Sequence, residues 1–147
     1  MRILKILSLV ALMLGLFTAC QTTQRAGGDT AAPRAAGGST VSGTVVLPSG
    51  AVLSGDVALE IRLIDASRGV AQGTIISQER FANPGASPMS FRLRYDRNRI
   101  SPDAVYLVEA FVFENGLLRY TNTRPFQVLT QGFGDSVDMT VVRVAPN

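Results

Sequence analysis

From Thr40 onward the chain alternates apolar and polar residues with a period of two, and no later segment keeps a 3.6-residue period. Val57, Leu59, Ile61 and Leu63 alternate with Ala58, Glu60, Arg62 and Ile64; Met89, Phe91, Leu93 and Tyr95 alternate with Ser90, Arg92, Arg94 and Asp96. Successive side chains of an extended backbone point to opposite faces, so each stretch predicts a strand with one face in a core and the other in water. Val41, Gly43, Val45 and Leu47 predict an earlier strand, and residues 75–81, 105–114, 117–123 and 137–144 complete the set. Pro48-Ser49-Gly50, Ser67-Arg68-Gly69, Asn83-Pro84-Gly85 and Ser101-Pro102-Asp103 supply turn chemistry between them. Asn115-Gly116, set between two apolar runs, tolerates positive φ at both positions, as a type I′ hairpin demands. About seven short strands over roughly 105 residues predict an all-β fold. The expected architecture is a single immunoglobulin- or transthyretin-like β-sandwich over residues 39–147. Tyr106 follows a Pro-Asp turn at a strand start, the place of a tyrosine corner.

The first nineteen residues have the three parts of an export signal. Arg2 and Lys5 give a positive start, residues 6–17 are apolar apart from Ser8 and Gly15, and Thr18 and Ala19 are small. The apolar run is shorter than the roughly 20 residues that span a bilayer. Read instead as a core helix, it would be followed at once by polar, Gly-rich chain and would have nothing to pack against. Leu16-Phe17-Thr18-Ala19-Cys20 resembles the lipobox of bacterial lipoproteins, with Phe17 where an aliphatic residue is usual. The expectation is cleavage after Ala19 and acylation of the Cys20 sulfur; the alternative is ordinary cleavage leaving a free thiol. Residues 20–38 hold Gly27-Gly28, Gly37-Gly38 and Pro33 and no aromatic residue, which predicts an acylated cysteine followed by a flexible linker. Gln21, rather than aspartate, follows the cysteine, which by resemblance to the enterobacterial sorting rule favours the outer membrane, facing the periplasm.

The net charge of +3 includes Arg2 and Lys5; without them twelve basic and eleven acidic residues leave +1. The basic balance is therefore no argument for nucleic acid. Cys20 is the only cysteine, so no intrachain disulfide can form; a monomer is expected, and its stability must rest on its core. The chain has no histidine, which removes His-dependent triads, His metal sites and the commonest general base. Neither a metal nor a cofactor is expected. Gly132-Phe133-Gly134 lacks the third glycine and the lysine of a phosphate loop and reads as a turn. Glu109, Asp96 and Asp103 are the carboxylates left for catalysis by elimination alone, and the chain is expected not to be an enzyme.

Two surfaces stand out as partner sites. The Asn115-Gly116 turn predicts Phe113 opposite Leu118, Phe111 opposite Tyr120 and Glu109 opposite Asn122. If Val108 and its neighbours line the core, Phe111, Phe113, Leu118 and Tyr120 form an outward patch; the alternative is that another strand or loop covers it. The second feature is Arg92, Arg94, Arg97 and Arg99, two on a strand's polar face and two in the next loop, suited to an acidic partner or lipid head group, or simply a solvated face.

Val41-Ser42-Gly43-Thr44-Val45, Leu59 through Asp65, Phe91 through Asp96, Ile100-Ser101-Pro102, Tyr106-Leu107-Val108 and Val128-Leu129-Thr130 together resemble the YbaY/YscW-type lipoprotein family, over about residues 40–144. The resemblance implies an envelope lipoprotein with a β-sandwich. Some members resemble pilotins, which bind a secretin subunit and help deliver it to the outer membrane. The expected function is a non-catalytic, membrane-tethered binding or assembly module, pilotin-like in its most concrete form. The alternatives are a carboxylate-dependent enzyme acting on envelope glycans and a general outer-membrane stabilising protein.

Overall fold

The computed structural model describes residues 38–145. The expected signal peptide, Cys20 and the linker up to residue 37 lie outside them. Nine strands occur among the described residues: β1 (Gly38–Val46), β2 (Val57–Asp65), β3 (Thr74–Ala82), β4 (Met89–Asp96), β5 (Tyr106–Glu114), β6 (Leu117–Thr121), β7 (Phe126–Val128), β8 (Ser136–Thr140) and β9 (Val142–Arg143). They form a three-stranded sheet, β4-β1-β8, and a larger sheet, β3-β2-β5-β6-β9, in which β7 also pairs with β5. β1 and β8 run parallel; the other pairs are antiparallel.

The expected seven strands become nine for two reasons. The chain after the 122–125 connection makes a short strand, β7, along the first residues of β5. The Val-rich closing run is one segment in sequence but two strands in space. Its first half, β8, pairs with β1 in the small sheet and its second half, β9, pairs with β6 in the large one. Val141 makes the crossing fully buried, its N–H donating to the Val46 carbonyl at 3.1 Å.

The alternation decides which faces meet. Val41, Val45, Met89, Phe91, Leu93 and Met139 of the small sheet pack against Leu59, Ile61, Leu63, Tyr106, Val108, Ala110 and Val112 of the large one. Every one of these side chains is buried. The Tyr106 ring is in this core while its hydroxyl accepts from the Ser101 N–H at 2.9 Å and donates to the Arg99 carbonyl at 3.2 Å. That is the geometry of a tyrosine corner, and it satisfies a hydroxyl that would otherwise destabilise the core. The open side between the sheets is closed at β3 and β4. The Ser77 hydroxyl donates to the Arg94 carbonyl, and the Arg99 guanidinium donates to the carbonyls of Ile75 and Ile76. These bonds occupy edge carbonyls that could otherwise pair with another chain.

The long strands give the domain two poles. One gathers the start of β1, the end of β4 and the loops 97–105 and 129–135. The other gathers the loops 47–56 and 83–88 and the Asn115-Gly116 turn, where both residues have positive φ as the hairpin requires. At this second pole Glu114 fastens the loop before β2. One carboxylate oxygen accepts from the Ser54 N–H at 2.7 Å and its hydroxyl at 3.2 Å, and the other lies 3.1 Å from Nε of Arg119. The Ser54 N–H, above all, holds the Glu114 carboxyl below its ordinary range; Arg119 adds to the effect. A carboxyl depressed in the folded chain contributes stability above its unfolded pKa and loses it as pH falls through the folded one. Glu114→Gln should therefore be less stable than the parent at neutral pH, with the gap closing on acidification. Urea midpoints of both chains along an acid series would show this; a gap that persists unchanged in acid would refute it.

Candidate functional site

β5 is central in the larger sheet, with the Val108 face in the core, so Phe111 and Phe113 point outward. Residues directly opposite across a ladder share a face. Registers therefore place Arg80, Glu60, Phe111, Thr121 and Val142 in one outward row. The next row runs Ala82, Ala58, Phe113, Leu118, and the row on the other side Gln78, Arg62, Glu109. The result is an amphipathic sheet face, apolar toward the β6 side and charged toward β3.

Its middle is an ordered ion-pair and aromatic cluster. Glu60 is buried on this outward face, with one carboxylate oxygen accepting from Nε of Arg62 at 2.9 Å and the other 3.6 Å from Arg80. Those guanidiniums cover the two rings: Arg62 stands 4.5 Å from the Phe111 centroid and Arg80 4.5 Å from that of Phe113. A buried carboxylate needs paired charge, and a guanidinium held by it can lie flat on an aromatic face. The patch is thus partly covered, by arginine side chains rather than by a strand or loop, and both rings remain half-buried. Leu118 is 38% exposed and Val142 40% exposed, which leaves an apolar rim.

Tyr120 does not belong to this surface. Phe113 does lie opposite Leu118, but a bulge then inserts Arg119, so that Val112 faces Tyr120 and Phe111 faces Thr121. One extra residue reverses every side chain beyond it. The Tyr120 ring consequently lies in the core, 7% exposed. Glu109 does not face Asn122 either. Asn122 leaves the ladder and caps it, its side-chain oxygen accepting from the Ala110 N–H at 2.7 Å. No single-sequence signal marks this bulge, because Leu117, Leu118 and Tyr120 fit either register.

Arg92 and Arg94 are exposed on the outer face of the small sheet, opposite Ser42 and Thr40. They and the aromatic rings therefore occupy different sheets of the sandwich and do not form one site. Arg62 and Arg80, absent from the residues picked out by sequence, are the cations that accompany Phe111 and Phe113. The signal was present in the register, since Arg62 and Glu60 alternate with the apolar residues of β2, but only the strand pairing shows which ring each arginine meets. The three carboxylates considered for catalysis are scattered. Asp96 accepts from the Asn98 N–H at 2.9 Å and so caps the short 3-10 helix Arg97–Arg99. Glu109 faces out of the other sheet opposite Arg62, and Asp103 lies in an exposed turn.

Comparison with known proteins agrees with this architecture. Residues 36–141 match the family model described as type III secretion system lipoprotein chaperone (YscW). The uncharacterized lipoprotein YbaY of Escherichia coli strain K12 is 32% identical over 105 residues, which are 71% of this chain and 55% of that protein. The chain thus spans about half the length of that curated relative. Among solved structures, an alternative pilotin from the type II secretion system of Vibrio cholerae superposes with a TM-score of 0.69 at 25% identity, over 74% of this chain and 99% of the pilotin. Fold, extent of match and sequence agree: the protein belongs to the YscW family of type III secretion system lipoprotein chaperones.

Proposed function

We propose that this protein is a non-catalytic, membrane-tethered binding module with a pilotin-like role. In this reading acyl chains on Cys20 hold it at the outer membrane, facing the periplasm, where the β-sandwich docks a secretin-type envelope subunit. The observation that carries the reading is the likeness to a pilotin over 99% of that protein's chain. The match extends over nearly all of that pilotin's chain, which supports a comparable role for this β-sandwich. The outward face of the larger sheet is the docking surface this reading assigns. It combines half-buried aromatic rings, arginines and an apolar rim, the residue types that dominate binding energy at protein interfaces. Its partner would be an amphipathic segment whose apolar side meets Leu118 and Val142 and whose acidic groups meet Arg62 and Arg80.

The test is affinity copurification of the full acylated chain from envelopes extracted in mild detergent, with bound proteins identified by mass spectrometry. A secretin-type subunit is the expected partner. Leu118→Glu combined with Arg80→Glu should reduce its recovery about tenfold, equivalent to roughly 1.4 kcal/mol of binding. Circular dichroism would show that the variant remains folded. A clean pull-down without an envelope partner would overturn the proposed role, and unchanged recovery with the variant would overturn the assigned face.

A further inference from the structure

The pole of the domain that holds the start of β1 differs in kind from the opposite pole. A cleft of about 440 Å³ opens there, between the first residues of β1 and the 129–135 loop. Ser39, Thr40, Tyr95, Arg97, Phe133 and Asp135 are among its walls. A neighbouring hollow of about 320 Å³ joins Gly38, Ser39 and Thr40 to Arg94. Guanidiniums and hydroxyls thus line adjoining openings, with Asp135 as the carboxylate among them. Arg68 lies in a loop and Arg99 in the short 3-10 helix at this pole, together with Asp65, Asp96 and Asp103, whereas the loops 47–56 and 83–88 at the far pole contain Asp56 and no basic residue.

Phe133 stands beside the cleft 50% exposed, and the loop that presents it is built rather than loose. Leu129 (φ 71°), Gln131 (φ 57°) and Gly132 (φ 88°) adopt the left-handed conformation, which costs free energy for the two non-glycine residues. The Leu129 N–H donates to the Gly134 carbonyl at 2.8 Å, and the buried Thr130 hydroxyl donates to the Ala104 carbonyl at 2.7 Å. An aromatic ring held out into solvent by a strained, anchored loop beside arginines suits a water–lipid boundary, where the ring enters the acyl region and the cations meet phosphate.

The described chain begins at this pole. Cys20 precedes Gly38 by eighteen residues, so even fully extended the connection reaches no more than ~65 Å. It joins the domain at Gly38, which lines the hollow beside this cleft. We infer that this pole is a lipid-facing surface, in which Arg94 and Arg97 take the phosphate of an anionic phospholipid while Phe133 enters the bilayer boundary. The inference rests on acylation of Cys20, and it gives the tethered domain an orientation: Arg94, Arg97 and Phe133 toward the membrane, the far pole away from it.

The chain contains no tryptophan, so Phe133→Trp places its one tryptophan emitter, excited selectively over the tyrosines, at this pole. Val52→Trp provides one at the other, where Val52 is 82% exposed and separated by the length of β1, about 27 Å. Each full acylated chain is reconstituted into phosphatidylcholine vesicles, with and without phosphatidylglycerol, whose acyl chains carry bromine as a quencher. Emission from the Phe133→Trp chain should shift blue and fall about twofold, more with phosphatidylglycerol, while the Val52→Trp chain keeps a water-exposed spectrum. Adding Arg94→Gln and Arg97→Gln should remove the dependence on phosphatidylglycerol. A Phe133→Trp chain that floats with vesicles but stays unquenched, or quenching that is equal in both reporter chains, overturns the orientation alone. A chain that does not float overturns the tether as well.

Discussion

Gly43→Ala should be the most damaging single substitution on the small sheet. Gly43 lies between Phe91 of β4 and Val137 of β8. A Cβ there would overlap the Val137 carbonyl oxygen, lie 2.7 Å from its carbon and lie 3.2 Å from Cε1 of Phe91. The obstacle is backbone, so no rotamer change relieves it. Either β8 moves away from β1 or β1 shifts against β4. β8 has no other ladder partner in its sheet, and its Met139 and the Val141 that follows it are fully buried. Moving it opens the core. Overpacking of this kind costs about 1–3 kcal/mol, and lost burial adds to it. A loss of about 3 kcal/mol corresponds to a fall in Tm of more than about 10 °C for a domain of this size. Gly38→Ala, on the same strand with open space at its Cβ, is the matched control and should melt with the parent. Equal melting temperatures for the parent and Gly43→Ala would show that β1 and β8 do not approach as described.

That glycine illustrates what was and was not legible in the sequence. Val41, Gly43 and Val45 identify a strand with one buried face, since the alternation needs no knowledge of the partner. The same holds for β2, β4 and β5, and the Asn115-Gly116 turn fixes one hairpin because both positions must take positive φ. The reason Gly43 must be glycine lies in β8, more than ninety residues later, and no local pattern reports it. The bulge at Arg119 is hidden for a related reason. Its cause is the competition between the straight hairpin register and burial of the Tyr120 ring, settled by the core on the other side of the sheet. The split of the closing Val-rich run is likewise decided by two different neighbours, β1 and β6, and not by the run itself.

The outward face of the larger sheet was half legible. Its rings could be placed on one face of β5, but the arginines that cover them belong to β2 and β3. Their positions become meaningful only once Glu60 is buried among them. Glu60 holds two long cations whose entropy would otherwise oppose binding, so a partner at the proposed docking face would meet a preformed surface at lower cost. In the proposed orientation this face stands beside the tether pole and stays open to the periplasm.

On the proposed outer-membrane tether, Cys20→Ser should remove the protein from that membrane altogether while leaving the domain intact. Each buried methylene contributes about 0.8 kcal/mol, and a single acyl chain gives only reversible binding, whereas two or more anchor stably. A serine oxygen does not take the diacylglycerol thioether, so no part of that energy survives the substitution. The parent, analysed by intact mass spectrometry, should begin at residue 20 and carry the added mass of its acyl chains. The variant should show neither the cut before residue 20 nor the lipid, and should disappear from the outer-membrane fraction as an uncut precursor. Because the substitution lies eighteen residues before Gly38, the thermal transition of the β-sandwich should not move. This separates Cys20→Ser from Gly43→Ala, which destabilises the domain wherever it is held. It also orders the functional readings: loss of the secretin-type partner in the Cys20 variant, with the Leu118 face intact, would mean that location enables docking. An intact Met1 on the parent, or a free sulfhydryl at Cys20, would overturn the tether and with it the envelope role proposed for this chain.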